Sequence, residues 1–176
     1  MIQEVITDLV EKKMAAPAEQ RSYDDVGDRS LAKGMLAGLI AGVIATAVKT
    51  LAEKAYPPRT HGEAEPTDVA AQKIAGRNLS TQQQEIASEA IHWGFGAVTG
   101  AAYGALAEYY PAATGKDGAN FGMTLMALTH EGALPAMGLS AQPQDQTTRE
   151  KSSEMTTHII FGIVTETVRR YIRKML

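Results

Sequence analysis

Glu89 and His92 stand three residues apart, Glu154 and His158 four apart, and His130 is followed directly by Glu131. On a helix, spacings of three and four place both members of a pair on one face. There a carboxylate and an imidazole can share a metal ion, a proton or a hydrogen bond. Lys49 and Glu53 form one further pair of this kind. The residues Lys49, Glu53, Glu89, His92, His130, Glu131, Glu154 and His158 therefore mark where chemistry would sit.

Four chemistries compete for them. Di-metal carboxylate sites in helical bundles take one Glu from each of two helices and a Glu-x-x-His from each of the other two. Glu89-x-x-His92 has that spacing, Glu53 and Glu131 would supply the single carboxylates, and Glu154-x-x-x-His158 departs from it by one step. A haem held between His92 and His158, with Phe95 and Phe161 beside the ring, is the second. The third is a proton or ion path, since ionisable groups at membrane depth are costly and mark function. The fourth is an interhelical network of hydrogen bonds and ion pairs, because buried ionisable groups must be paired or neutralised. The network, with no cofactor, is the expectation. Iron or haem is the alternative, with His92, His158, Glu89, Glu154, Glu53 and Glu131 as the possible ligands.

An internal repeat relates two of these residues. His92-Trp-Gly-Phe-Gly-Ala-Val-Thr99 returns as His158-Ile-Ile-Phe-Gly-Ile-Val-Thr165, and upstream of the two copies Ala64-Glu-Pro-Thr-Asp68 echoes Ala141-Gln-Pro-Gln-Asp145. Two motifs in one order predict a duplicated helix pair, with halves at about 31–111 and 117–176, and equivalent places for His92 and His158 near a pseudo-two-fold axis.

Elements long enough to position such residues are visible as four segments rich in Gly, Ala, Leu, Ile, Val and Met. They run over Leu31–Ala55, about Ala87–Tyr110, Gly118–Leu139 and about Ser153–Met175. Each is shorter or more polar than the roughly 20 apolar residues that span a bilayer. Glycine spacing decides for membrane. Gly34, Gly38 and Gly42 form one ladder and Gly96, Gly100 and Gly104 another. Glycine costs about 1 kcal/mol in a water-exposed helix, whereas in lipid it lets backbones approach and gain packing energy.

Start and stop signals agree with helices. Ser80 with Gln83 has the pattern of a capping box, Pro111 stops the second helix, and Asp117 is placed to cap the third. Thr147 to Glu150 introduces the fourth, and Thr67–Ala75 is a short helix candidate in the connection opened by Pro57-Pro58. The expected architecture is an all-α integral membrane bundle of four transmembrane helices built from two tandem helix pairs over 31–176. A cytoplasmic segment over 1–30 carries Ile2, Val5, Ile6, Leu9 and Val10 on one amphipathic helical face.

Composition bounds the function. The net charge of −3 and isoelectric point near 5.8 give no basic field for nucleic acid. The absence of cysteine excludes disulfides, thiolate metal sites and cysteine nucleophiles. No G-x-S-x-G elbow or phosphate-binding loop is present. Lys12, Lys13, Arg21, Arg29 and Lys33, then Lys116, then Arg169, Arg170, Arg173 and Lys174 fall on one side if all four segments span, which places both termini in the cytoplasm.

Val48-Lys-Thr-Leu-Ala-Glu53 with Pro57-Pro-Arg59, His92-x-x-Phe-Gly, Gly100-x-x-Tyr103, His130-Glu131 and Glu166-x-x-Arg169-Arg170 together resemble the YagU family of small bacterial inner-membrane proteins. The resemblance covers residues 31 to 174 and departs from the family pattern at Ala52, where the family carries a tryptophan. It implies a polytopic inner-membrane protein of unestablished activity and assigns no catalytic residue. The expected role is a non-enzymatic accessory or scaffold subunit whose partners are the lipid bilayer and itself or another membrane protein. A metal- or haem-binding redox protein and a small transporter or proton path are the alternatives.

Overall fold

The computed structural model describes residues 29–176, so the amphipathic helix expected near the N-terminus lies outside the described residues. Among the described residues the chain is all-helical, without a strand. Helix α1 spans Leu31–Ala55, α2 Pro66–Ala75 and α3 Thr81–Tyr109. A 3-10 segment over Pro111–Gly118 leads into α4, Ala119–Met126. A π-helical turn over Ala127–Ala133 and the single turn α5, Leu134–Ala136, come next, and α6 spans Thr148–Met175.

The helix starts have local chemical causes. Ser80 accepts a hydrogen bond from the Gln83 amide while the Gln83 side chain reaches back to the Ser80 amide, a complete capping box. Thr147 caps α6 through the Glu150 amide and Ser30 caps α1 through that of Lys33. Removing the Ser80 hydroxyl by Ser80→Ala is expected to cost about 1 kcal/mol, seen as faster amide exchange confined to the first turn of α3. Asp117 does not cap α4. Its backbone is left-handed at φ 54°, Gly118 takes the cap position at φ 88°, and the Asp117 carboxylate instead lies 3.0 Å from Arg170.

Glycine contacts set the packing. The two ladders face each other, antiparallel, so that Gly34 meets Gly104, Gly38 meets Gly100 and Gly104, and Gly42 meets Gly96 and Gly100. A Cβ on Gly38 would overlap the Gly100 carbonyl oxygen and stand 2.8 Å from the Gly104 Cα. A second seam joins α4 to α6, where Gly118 and Gly122 press against Gly162 and Gly122 also meets the backbone of His158. Gly96 and Gly162 hold the same place in the repeated octapeptide, and each packs on glycine, Gly96 on Gly42 of α1 and Gly162 on Gly118 and Gly122 at the start of α4. Tyr103, Phe121 and Phe161 tie α3, α4 and α6 together. The first two rings stack at 4.2 Å and the second pair meets at 6.1 Å. Phe95, the repeat counterpart of Phe161, is 49% exposed while Phe161 is 3% exposed.

The polarity of this interior is unusual. On α6 the buried stripe is Ser153, Glu154, Thr157, His158, Phe161, Gly162, Thr165, Glu166 and Arg169. On α1 it is glycine, alanine and Thr46. Leu36, Leu39, Val43, Ile44, Leu51, Val98, Leu106 and Leu128 point outward. Among the described helices, only α1 is long and apolar enough to cross a membrane by length and composition. The other long helices fall short because α3 is filled with small residues and α6 carries its polar residues in the buried stripe.

Candidate functional site

The polar residues divide into two clusters at opposite ends of the bundle. The first is centred on Glu154, which is 2% exposed. Arg59, from the connection after α1, reaches one carboxylate oxygen at 3.1 Å. Toward the other oxygen, Oε2, come His130 Nε2 at 3.4 Å, His158 Nδ1 at 3.6 Å and Lys49 Nζ at 3.9 Å. Oε2 is buried and accepts no hydrogen bond. Lys49 is held mainly by Glu53, one helical turn on, and Arg59 also binds Glu65 at 2.7 Å and Glu150 at 3.4 Å.

The position of each side chain has a local cause. Glu154 and His158 are one turn apart on the buried face of α6. The His158 Nδ1 lies 2.8 Å from the Glu154 carbonyl oxygen. A carbonyl can only accept, so Nδ1 carries the proton and Nε2 keeps its lone pair. His130 arrives from the π turn. One extra residue in a turn rotates the downstream side chains by about 100° relative to an uninterrupted α-helix, and such turns recur at functional sites. Gln146, itself buried, donates to the His130 carbonyl at 3.0 Å and so satisfies a group in the widened turn. The two imidazoles meet edge to face at 4.9 Å between centroids. Thus His130, Glu154 and His158 each present a ligand atom, all within 4.8 Å of one another.

The residues singled out by spacing do not all gather here. Lys49, Glu53, His130, Glu154 and His158 do. His92 is not one of the side chains gathered on Glu154; its Nε2 lies 3.1 Å from the Thr50 hydroxyl. Glu89 is exposed and accepts a hydrogen bond from the Trp93 indole at 2.7 Å, and Glu131 is exposed. The Glu89-x-x-His92 arm of a di-metal site is therefore not part of the group of metal-ligating side chains that the described residues assemble. The two histidines of the haem alternative face different neighbours: His92 on α3 turns to α1, whereas His158 on α6 turns to the π turn. Arg59 and Gln146 join the cluster without a signal from helical spacing. Both lie in connections, where periodicity gives no guide, and the one pointer to Arg59 is its position directly after Pro57-Pro58.

At the other end Glu166, 1% exposed, receives Arg169 at 2.7 and 2.9 Å, the Tyr103 hydroxyl at 2.9 Å and Arg170 at 2.5 Å. Glu108 receives Arg173 at 2.6 Å. Each of these carboxylates is satisfied by several donors, which is the arrangement of a structural clamp.

Comparison with known proteins adds a family. The family model described as a protein of unknown function, DUF1440, matches residues 43–167, and the chain belongs to that family. The match spans the Glu154 cluster and both copies of the octapeptide and ends just after Glu166. Neither the curated proteins nor the solved structures contain a match to this chain.

Proposed function

We propose that this member of the family is a small integral protein of the bacterial inner membrane. Four membrane-embedded segments, α1, α3, the composite segment from Gly118 to Ala136, and α6, form a non-enzymatic accessory or scaffold bundle. Its exposed apolar faces contact lipid and either a second copy or a larger membrane complex. The observation that carries this reading is the polarity of the bundle. In water, large apolar side chains leave the surface and charged ones stay on it, whereas here leucine, isoleucine and valine face outward and Glu154, His158, Glu166 and Arg169 are buried. Lipid removes the penalty on the first group, and pairing between helices removes it on the second. Facing glycine ladders fit the same setting, since close backbone contact is the means by which helices associate where apolar burial offers no gain.

This arrangement places the connections. With both termini cytoplasmic, residues 56–80 and 137–147 lie outside, together with Arg59 and the Glu154 cluster, and residues 110–117 lie inside. Because the chain lacks cysteine, single cysteines report topology cleanly. Thr60→Cys and Gln144→Cys are expected to react with a membrane-impermeant maleimide in spheroplasts. Lys116→Cys should react only after permeabilisation. Release of the protein by an alkaline carbonate wash, or equal labelling of all three sites before permeabilisation, would overturn the proposal.

A further inference from the structure

We infer that His130, Glu154 and His158 form a binding site for one divalent transition-metal ion, of the kind exemplified by Zn2+ or Fe2+. The inference concerns a ligand of the bundle and stands whether or not all four segments span the membrane. The donor set is two imidazoles and one carboxylate, the combination that suits Zn2+ and Fe2+ rather than Mg2+ or Ca2+, which take oxygen ligands. The hydrogen bonds of His158 and Glu154 leave each with a lone pair for a metal. His158 donates from Nδ1 to the Glu154 carbonyl at 2.8 Å. That hydrogen bond orients the ring and leaves Nε2 as the electron-pair donor, as in metal sites where the second ring nitrogen is held by a backbone carbonyl. Glu154 has its two oxygens divided, with Oε1 taken by Arg59 at 3.1 Å and Oε2 buried without a hydrogen bond.

An orphaned carboxylate oxygen on a 2% exposed side chain is the observation that asks for a ligand. The spacing fits as well. His130 Nε2 lies 3.4 Å from Oε2, which is about the edge of a tetrahedron with metal–ligand bonds of roughly 2.1 Å. One ligand atom from each of the three side chains lies within 4.8 Å of the other two, and rotation of the side chains, the His158 ring included, would close them on an ion.

Charge supports the same conclusion. Lys49 and Arg59 are the cations of the ion-pair set, and Glu53, Glu65, Glu150 and Glu154 are its carboxylates. With neutral imidazoles the set holds an excess of two negative charges, which one divalent ion balances. Lys49 pairs closely with Glu53 and stands 3.9 Å from Oε2, and Arg59 bonds the other oxygen, so neither cation makes a hydrogen bond to Oε2.

The test uses the full chain purified in detergent, stripped with chelator and titrated with Zn2+, with Co2+ as the spectroscopic probe. One Zn2+ per chain is expected, together with Co2+ ligand-field bands in the visible that Zn2+ abolishes. Glu154→Gln, which keeps an oxygen for Arg59, and His130→Ala should each weaken Zn2+ by more than about 100-fold, beyond what loss of a supporting group produces. His92→Ala should bind as the parent does. The inference is overturned if the parent takes up no stoichiometric Zn2+ or leaves Co2+ with its aqueous spectrum. It is equally overturned if His130→Ala, eluting as the parent does, retains Zn2+ within about three-fold. The Co2+ reading needs no variant, so a variant that fails to fold leaves the question answerable.

Discussion

Gly38→Ile is expected to abolish the folded state of the purified protein, and Gly38→Ala to weaken it by about 1–3 kcal/mol, the usual cost of forcing volume into a packed seam. The added atoms would have nowhere to go. A Cβ at Gly38 overlaps the Gly100 carbonyl and stands 2.8 and 2.9 Å from the Gly104 Cα and amide nitrogen. These are backbone atoms in the middle of a helix, so no side chain can swing aside, and α1 and α3 must separate along their whole ladder. The counterpart Gly100 faces the same constraint from Gly42, whose Cα would lie 2.6 Å from its added carbon.

Gly94 provides the contrast, since a Cβ there meets nothing within 4 Å. Gly94→Ala should leave the protein intact or raise its stability by up to about 1 kcal/mol through helix propensity. Thermal unfolding in detergent, monitored by circular dichroism, measures all three variants. Size-exclusion chromatography adds a second reading. Because both ladders are consumed within one chain, Gly38→Ala should lower the melting temperature without dissociating any oligomer. A dissociated but equally stable Gly38→Ala would mean that the ladder serves a contact between chains instead.

The ladders also show how much of the fold is legible in the amino-acid sequence. Glycine at every fourth position has one economical explanation, close helix contact, so the seam can be read from six residues. Which ladder meets which is less evident, because spacing specifies a face and leaves its partner open. The histidines are harder still. His92 and His158 are equivalent in the repeat, yet their surroundings differ: α1 offers Thr50 to His92, while the π turn offers His130 to His158. Duplication carries over the glycine contact of the octapeptide and not the polar neighbours, which come from unrelated positions.

The π turn is invisible to any argument from a 3.6-residue period, and it carries both His130 and Glu131. One turns to Glu154, and the other stays exposed. Hydropathy reads α6 as polar because averaging along the chain mixes outward residues such as Ile163 with the buried stripe of Glu154, His158, Glu166 and Arg169.

The inward polar face carries the second large effect. Glu166→Ala is expected to destabilise the protein by about 3–5 kcal/mol, the range for breaking a buried ion pair by removing one partner. The loss comes from the groups left behind. Arg169 is 2% exposed and its guanidinium makes both of its close bonds to Glu166, at 2.7 and 2.9 Å. The buried Tyr103 hydroxyl loses its acceptor at 2.9 Å in the same step. Restoring the pair is not the only remedy, because a buried pair replaced by apolar residues of similar volume is often neutral or better. Glu166→Leu with Arg169→Met should therefore recover most of the stability that Glu166→Leu alone loses, which a double-mutant cycle measures directly. Additive losses in the double variant would show that Glu166 and Arg169 act independently. Recovery would establish that Glu166 and Arg169 act as one unit and that, at this end of the bundle, polarity serves the fold, in contrast to the Glu154 end, where one oxygen is left without a hydrogen-bond donor.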